Sequence, residues 1–243
     1  MPRLGVGIGL GIQNSLVKPI PITLGASFLI TVSPRFCCSD ASHLVPCNNG
    51  DQIVTWYEQV TKTWFSWALV GGAGSKPVFN VSGSLYSASM VTNGQFPFAN
   101  SWPQNDVSWT IRFTPNAQVG HYLCEGSDSG NKPYTYYRAT TTGVLQRFNT
   151  GPSVALTNGS NACISYQGTG TAPVSTEKMR INGGAWATVN NTRPTRSGTS
   201  ATVAVGIGGA GSGGFSNFKG LAIFPTILSD ANFALVENYF NSL

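Results

Sequence analysis

Charge is what this chain has least of. Asp, Glu, Lys and Arg together make up 9% of its residues, against about 25% in a usual soluble domain. Only nine residues are acidic and two are histidines. Glu125 and Asp128 form a close acidic pair, but they flank a Gly-Ser turn and read as solvated loop charges. His43 and His121 stand in no recognisable nucleophile motif. The net charge of +5 is scattered. Arg193 and Arg196 come nearest to a basic cluster, with Lys178 and Arg180 upstream, and this is too sparse for a nucleic-acid footprint. Long hydrophobic runs are also missing. The apolar residues of the first twelve positions are too few to span a bilayer and lack the small-residue cleavage site of a secretory signal. Neither nucleic acid nor membrane is an expected partner.

What is abundant is glycine, at 29 residues, with neutral Ser, Thr and Asn carrying the polarity. Disorder is excluded by aromatics at 11% and apolar residues at 41%. The 243 residues suffice for a large one-domain all-β sandwich. Strands are expected near 53–57, 63–70, 84–91, 107–113, 119–125, 133–141, 143–148, 161–167, 176–182, 185–190, 200–206 and 217–224. Asn93-Gly94, Ser129-Gly130, Thr142-Gly143 and Asn182-Gly183-Gly184 supply turns between them. In VSWTIRF, Val107, Trp109, Ile111 and Phe113 alternate, as on a half-buried strand.

Residues 1–12 form a segment apart. Glycine alternates with Leu4, Val6, Ile8, Leu10 and Ile12, so a strand here would have one apolar face and one bare face. It suits an edge strand of the chain's own sandwich or an arm pinned by neighbouring subunits. A second apolar run, Ile20 to Val32, is entered through Pro19 and Pro21 and reads as an edge strand. The expected division is an N-terminal β arm over 1–33 and a sandwich over 34–243.

Three of the five cysteines lie in RFCCSDASHLVPCNNG. Cys37 and Cys38 are adjacent, whereas a zinc knuckle separates its first two cysteines so that both sulfurs reach one metal. Two readings stay open: free thiols, or a disulfide from Cys37 or Cys38 to Cys47. Cys124 and Cys163 read as small buried hydrophobes.

The C-terminal FSNFKGLAIFPTILSDANFALVENYFNSL runs from an apolar strand to a helix. Ser229 offers an N-cap and Asp230 a favourable charge in the first turn. Phe233, Val236, Phe240 and Leu243 then recur at spacings of three and four. Phe218, Gly220, Leu221, Ala222, Leu228, Ser229, Asp230 and Tyr239 fall on a pattern that resembles the end of a concanavalin A-like (laminin G-like) jelly roll. Ile223 stands where that family usually has an acidic residue. MRINGGAW (Met179 to Trp186) resembles the family's L-Y-V-N-G hairpin, and VAVGIGGAGSGG (Val203 to Gly214) its L-x-I-G strand and loop. GDQIVTWYEQ (Gly50 to Gln59) resembles the W-Y-D-Q opening of phage-encoded members, although Val60, Thr61 and Lys62 depart from its Ser-Gly-rich continuation.

The resemblance implies an all-β, two-sheet antiparallel jelly-roll sandwich with an N-terminal Gly-rich arm and one short C-terminal helix. Glucanases of this fold carry E-x-D-x-x-E on one strand, and the chain has no such triplet, so no catalytic residue is expected. Lectin-type members hold calcium with Asp and Asn. Asp106 near Asn105 and Asp128 near Asn131 make no calcium signature, and no metal or cofactor is expected. Together with the P-R-L-G-x-G leader, the resemblance implies a non-enzymatic virion protein of a bacteriophage, assembled in the host cytoplasm. It would decorate or cement the capsid by adding residues 4–12 as a strand to another chain. Its partners would be the major capsid protein or tail proteins, and further copies of itself. The alternative is a carbohydrate-binding tail or fibre module contacting a host surface glycan through Tyr134, Tyr136 and Tyr137.

Overall fold

The computed structural model describes residues 19–67, 76–90, 94–101, 106–115, 121–122, 125–127, 137–139, 144–147, 151–157, 159–169, 174–192, 202–207 and 215–243. The chain enters through the helical turn α1 (Ile20–Thr23) and ends on α2 (Asp230–Asn241). Between them lie β1 (Phe28–Thr31), β2 (Cys37–Cys38), β3 (Thr55–Glu58), β4 (Thr63–Ser66), β5 (Val78–Ser82) and β6 (Leu85–Met90). Next come β7 (Gly94–Ser101), β8 (Val107–Pro115), β9 (His121–Tyr122), β10 (Glu125–Ser127), β11 (Tyr137–Ala139) and β12 (Val144–Arg147). The last are β13 (Ser153–Ala155), β14 (Ala162–Thr169), β15 (Val174–Ile181), β16 (Ala187–Thr192), β17 (Thr202–Ile207) and β18 (Phe215–Phe224). All their pairings are antiparallel, and the all-β sandwich with a C-terminal helix expected from the sequence is the observed architecture.

The main sheet runs β16-β15-β14-β8-β18-β6-β5, with β1 also on β18. Three smaller sheets, β10-β17-β7, β13-β12-β11-β9 and β2-β3-β4, complete the described strands. Two cores lie on opposite faces of the main sheet. The larger holds Trp56, Trp109, Ile111, Phe113, Tyr166, Phe218 and Leu221. The smaller holds Leu29, Cys163, Ala222 and Phe224 under Phe233, Val236 and Phe240 of α2. Burying each of those three helix side chains contributes about 1.5–3 kcal/mol.

The second core corrects the reading of β8 as half-buried. Val107, Trp109, Ile111 and Phe113 face the larger core, but Ser108 and Thr110 are buried as well because α2 covers the other face. Their hydroxyls are satisfied. Ser108 Oγ accepts from the Leu228 amide at 3.0 Å, and Thr110 Oγ1 lies 3.0 Å from Ser165 Oγ. Ser165 in turn donates to Glu237 Oε1 at 2.6 Å. Arg180 Nε reaches the same oxygen at 2.9 Å, and its guanidinium lies 4.6 Å from the Trp186 ring centre. Helix and sheet are thus joined by one buried polar network inside an apolar contact.

Local rules explain both ends of the chain. Ser229 Oγ accepts from the Asn232 amide at 3.2 Å, which is the N-cap expected from the sequence. Gly220 sits where β18 meets β1 and α2: a Cβ there would stand 2.5 Å from the Ile30 carbonyl oxygen. Near the start, Ile20–Thr23 is helical, and only Phe28–Thr31 of the apolar run is strand. Proline in the first helical turn costs no hydrogen bond and presets φ, so Pro21 opens a turn of helix where an edge strand was expected. β1 is bonded into the main sheet along Gly220–Ile223.

Candidate functional site

The hairpin β3–β4 pairs Trp56 with Phe65 and Tyr57 with Trp64. Successive strand residues point to opposite faces, so each strand sends one ring inward and one outward. Trp56 goes in; its indole N–H donates to the Thr31 carbonyl at 3.0 Å. Tyr57 and Trp64 go out. The Tyr57 amide donates to the Phe36 carbonyl at 2.8 Å, which sets Phe36 beside Tyr57, where it is partly buried against the edge of the larger core. His43 reaches over from the loop that follows β2.

The result is a continuous row of rings. Phe36 and Tyr57 are 5.9 Å apart and within 9° of parallel, Tyr57 and Trp64 are 5.1 Å apart at 55°, and His43 lies 4.9 Å from Trp64 at 6°. Arg35 extends the row past Phe36, its guanidinium 5.9 Å from the ring centre. All four rings are partly exposed. Stacked carbons touch at about 3.5–4.0 Å, so near-parallel rings at these wider spacings are slid past one another. Parts of their faces stay uncovered. The Tyr57 hydroxyl, the Trp64 indole N–H and the His43 imidazole add polar groups to an apolar surface.

The row has a built frame. The turn between β3 and β4 is held by Glu58, whose carboxylate accepts from the amides of Leu29, Val60 and Thr61 at 2.8, 3.0 and 2.6 Å. Loop 39–46 is held by Asp40, which accepts from the Val45 amide at 3.0 Å, from the Leu44 and Ser42 amides at 3.2 Å, and from the Ser42 hydroxyl. The Ser42 hydroxyl bond, then the backbone bond from Val45, holds the Asp40 carboxyl below its ordinary value. Thr55 Oγ1 donates to the Asp40 carbonyl at 3.1 Å and anchors the loop to β3. His43 adopts φ 62°, the left-handed conformation that turns its ring back onto Trp64.

The residues singled out from sequence fall elsewhere. Leu4, Val6, Ile8, Leu10 and Ile12 lie outside the described residues, as do Tyr134 and Tyr136. Tyr137 begins β11 opposite Arg147. Cys37, Cys38 and Cys47 are buried free thiols at the root of loop 39–46. Glu125 begins β10 opposite Ala204, and Asp128 is outside the described residues. No group of three potential metal ligands gathers among the described residues. The ring row was missed, although its signal is present: Trp56-Tyr57 and Trp64-Phe65 are adjacent aromatic pairs on two strands of one hairpin. Alternation must put one ring of each pair on the outward face.

No protein-family model matches the chain. No curated protein sequence matches it either. Solved structures do. A sialidase of Trypanosoma rangeli aligns at a TM-score of 0.55 with 9% identity, over 88% of this chain and 32% of its own. An arabinofuranosidase solved with arabinofuranosyl-α-1,2-xylobiose aligns at 0.56 with 11% identity, over 78% of this chain and 50% of its own. The chain therefore spans about a third of the sialidase and half of the arabinofuranosidase. Likeness at these identities is likeness of fold. It corrects the reading of the chain as a non-enzymatic capsid-decorating protein: solved chains that share the fold include a sialidase and an arabinofuranosidase.

Proposed function

We propose that the chain is a carbohydrate-active sandwich of the concanavalin A-like kind that engages a glycan on the ring row Phe36, Tyr57, Trp64 and His43. The observation that carries this reading is the row itself, four adjoining and partly exposed rings brought together by the β3–β4 hairpin, the residue before β2 and loop 39–46. Tyr and Trp offer large, rigid contact area at low conformational cost. The C–H faces of a sugar ring fit such a surface, while its hydroxyls need donors and acceptors at the rim. Tyr57, Trp64, His43 and Arg35 supply them. The glycosidase neighbours support sugar chemistry as the context of the fold. An arabinofuranosylated xylo-oligosaccharide and a sialylated oligosaccharide are accordingly the first ligands to test.

The test is calorimetric titration of that pair and a wider oligosaccharide panel, with product analysis of the same mixtures to detect cleavage. Saturable binding by the wild-type chain that Trp64→Ala weakens about tenfold is the expected result. Equal affinity of a folded Trp64→Ala chain would overturn the assignment of the site. Absence of binding and cleavage across the panel would overturn the reading of function.

A further inference from the structure

Three thiols meet at the root of loop 39–46, and strand register decides which two face each other. Cys38 and Pro46 form an antiparallel bridge. Flanking it, the Ser39 amide donates to the Val45 carbonyl and the Cys47 amide to the Cys37 carbonyl, each at 3.0 Å. A bridge flanked in this way sets Cys37 directly opposite Cys47. Only one bond joins that pair, because the Cys37 amide donates instead to the Ser33 carbonyl at 3.0 Å. Opposed residues of antiparallel strands stand about 4.5–5.5 Å apart at Cα, inside the roughly 4.4–6.8 Å that a disulfide spans. Opposed side chains also share a face. Cys37 and Cys47 both belong to the larger core, whereas Cys38, one residue along the strand, points the other way and is not part of it.

We propose that Cys37 and Cys47, free thiols in this structure, pair as a disulfide under oxidising conditions, with Cys38 excluded, and so close loop 39–46. The bond forms as the hairpin folds. In the finished structure Cys37 and Cys47 are both buried, and burial first, then the nearby Asp51 charge, pushes the Cys47 thiol up to about 12, leaving little thiolate to react. The oxidant is a small-molecule disulfide of the glutathione class. One cysteine thiolate attacks it, forms a mixed disulfide and releases one glutathione thiol. The second cysteine then attacks the protein sulfur of that mixed disulfide and releases the other. Two protein thiols give up two electrons and two protons, which leave as two glutathione thiols. The loop that carries His43 onto Trp64 then hangs from a covalent root. This inference stands apart from the glycan reading, and its test uses no sugar.

The full chain is refolded from denaturant with oxidised and reduced glutathione, or with dithiothreitol, and mapped by non-reducing peptide mass spectrometry. A Cys37–Cys47 link is expected in the wild type and in Cys38→Ser, and is absent in Cys47→Ser. The linked form should melt about 5 °C or more above the reduced form. A Cys38–Cys47 or Cys37–Cys38 link, glutathione adducts in place of a link, or three free thiols would overturn the pairing. A correct link with an unchanged or lower melting temperature would overturn its closing role. Where Cys47→Ser fails to fold, the wild-type and Cys38→Ser maps decide the matter.

Discussion

Trp64 and Glu237 mark the two kinds of side chain on which the molecule depends. Trp64 is partly exposed, paired with Tyr57 across the hairpin, and contributes little to the core. Trp64→Ala should leave the melting temperature nearly unchanged while lowering glycan affinity about tenfold, read by titration. Glu237 is the reverse. It is buried between Arg180 and Ser165, and removing it leaves the buried guanidinium with only a 3.8 Å contact to the exposed Asp230 in place of its 2.9 Å bond. Glu237→Ala should cost about 3–5 kcal/mol in denaturant unfolding, and Glu237→Gln, which keeps an acceptor, clearly less. Neither role was fully legible in the sequence. The helical spacing of Phe233, Val236 and Phe240 revealed the buried face of α2, and Glu237, four residues after Phe233 and three before Phe240, falls on that face without a partner the sequence could name. Only the fold shows that Arg180 arrives from β15 to meet it.

At the scale of elements, ends and loops respond most sharply. Ser229→Ala removes the N-cap of α2 and should cost about 1 kcal/mol. Gly220→Ala puts a methyl group 2.5 Å from the Ile30 carbonyl oxygen, a backbone atom fixed by sheet pairing. It should cost about 1–3 kcal/mol in the same unfolding experiment. Loop 39–46 should be acid-sensitive. Its Asp40 carboxyl is depressed below the ordinary value of 3.8, chiefly by the Ser42 hydroxyl. A depressed carboxyl stabilises the folded loop above the unfolded value, and that contribution is lost as pH falls through the folded one. The Leu44 and Val45 amide signals should therefore shift below pH 3.8 in an NMR titration, and Asp40→Asn should abolish that transition. The C-terminal strand, cap and helix were readable because capping and 3.6-residue periodicity are local. The segment Ile20–Thr23 was misread because Pro21 suits an edge strand and a first helical turn equally well, and packing chose the turn.

For the whole molecule, one sheet face is occupied by α2 and the other carries the larger core, with β2-β3-β4 presenting its rings outward beyond it. The sandwich was legible as a class because alternation, turn residues and the C-terminal pattern all agree. Function was not, because scarce charge and a Gly-rich leader describe a surface and an end, while the ring row exists only once two strands and a loop are brought together. The most direct measurement is an NMR titration of the labelled chain with the arabinofuranosylated xylo-oligosaccharide and the sialylated oligosaccharide. Saturable shifts concentrated on the Trp64 indole, the Tyr57 ring and the His43 imidazole are expected. Saturable shifts confined to β11 around Tyr137, or none at all, would contradict the assignment of this face as the glycan site.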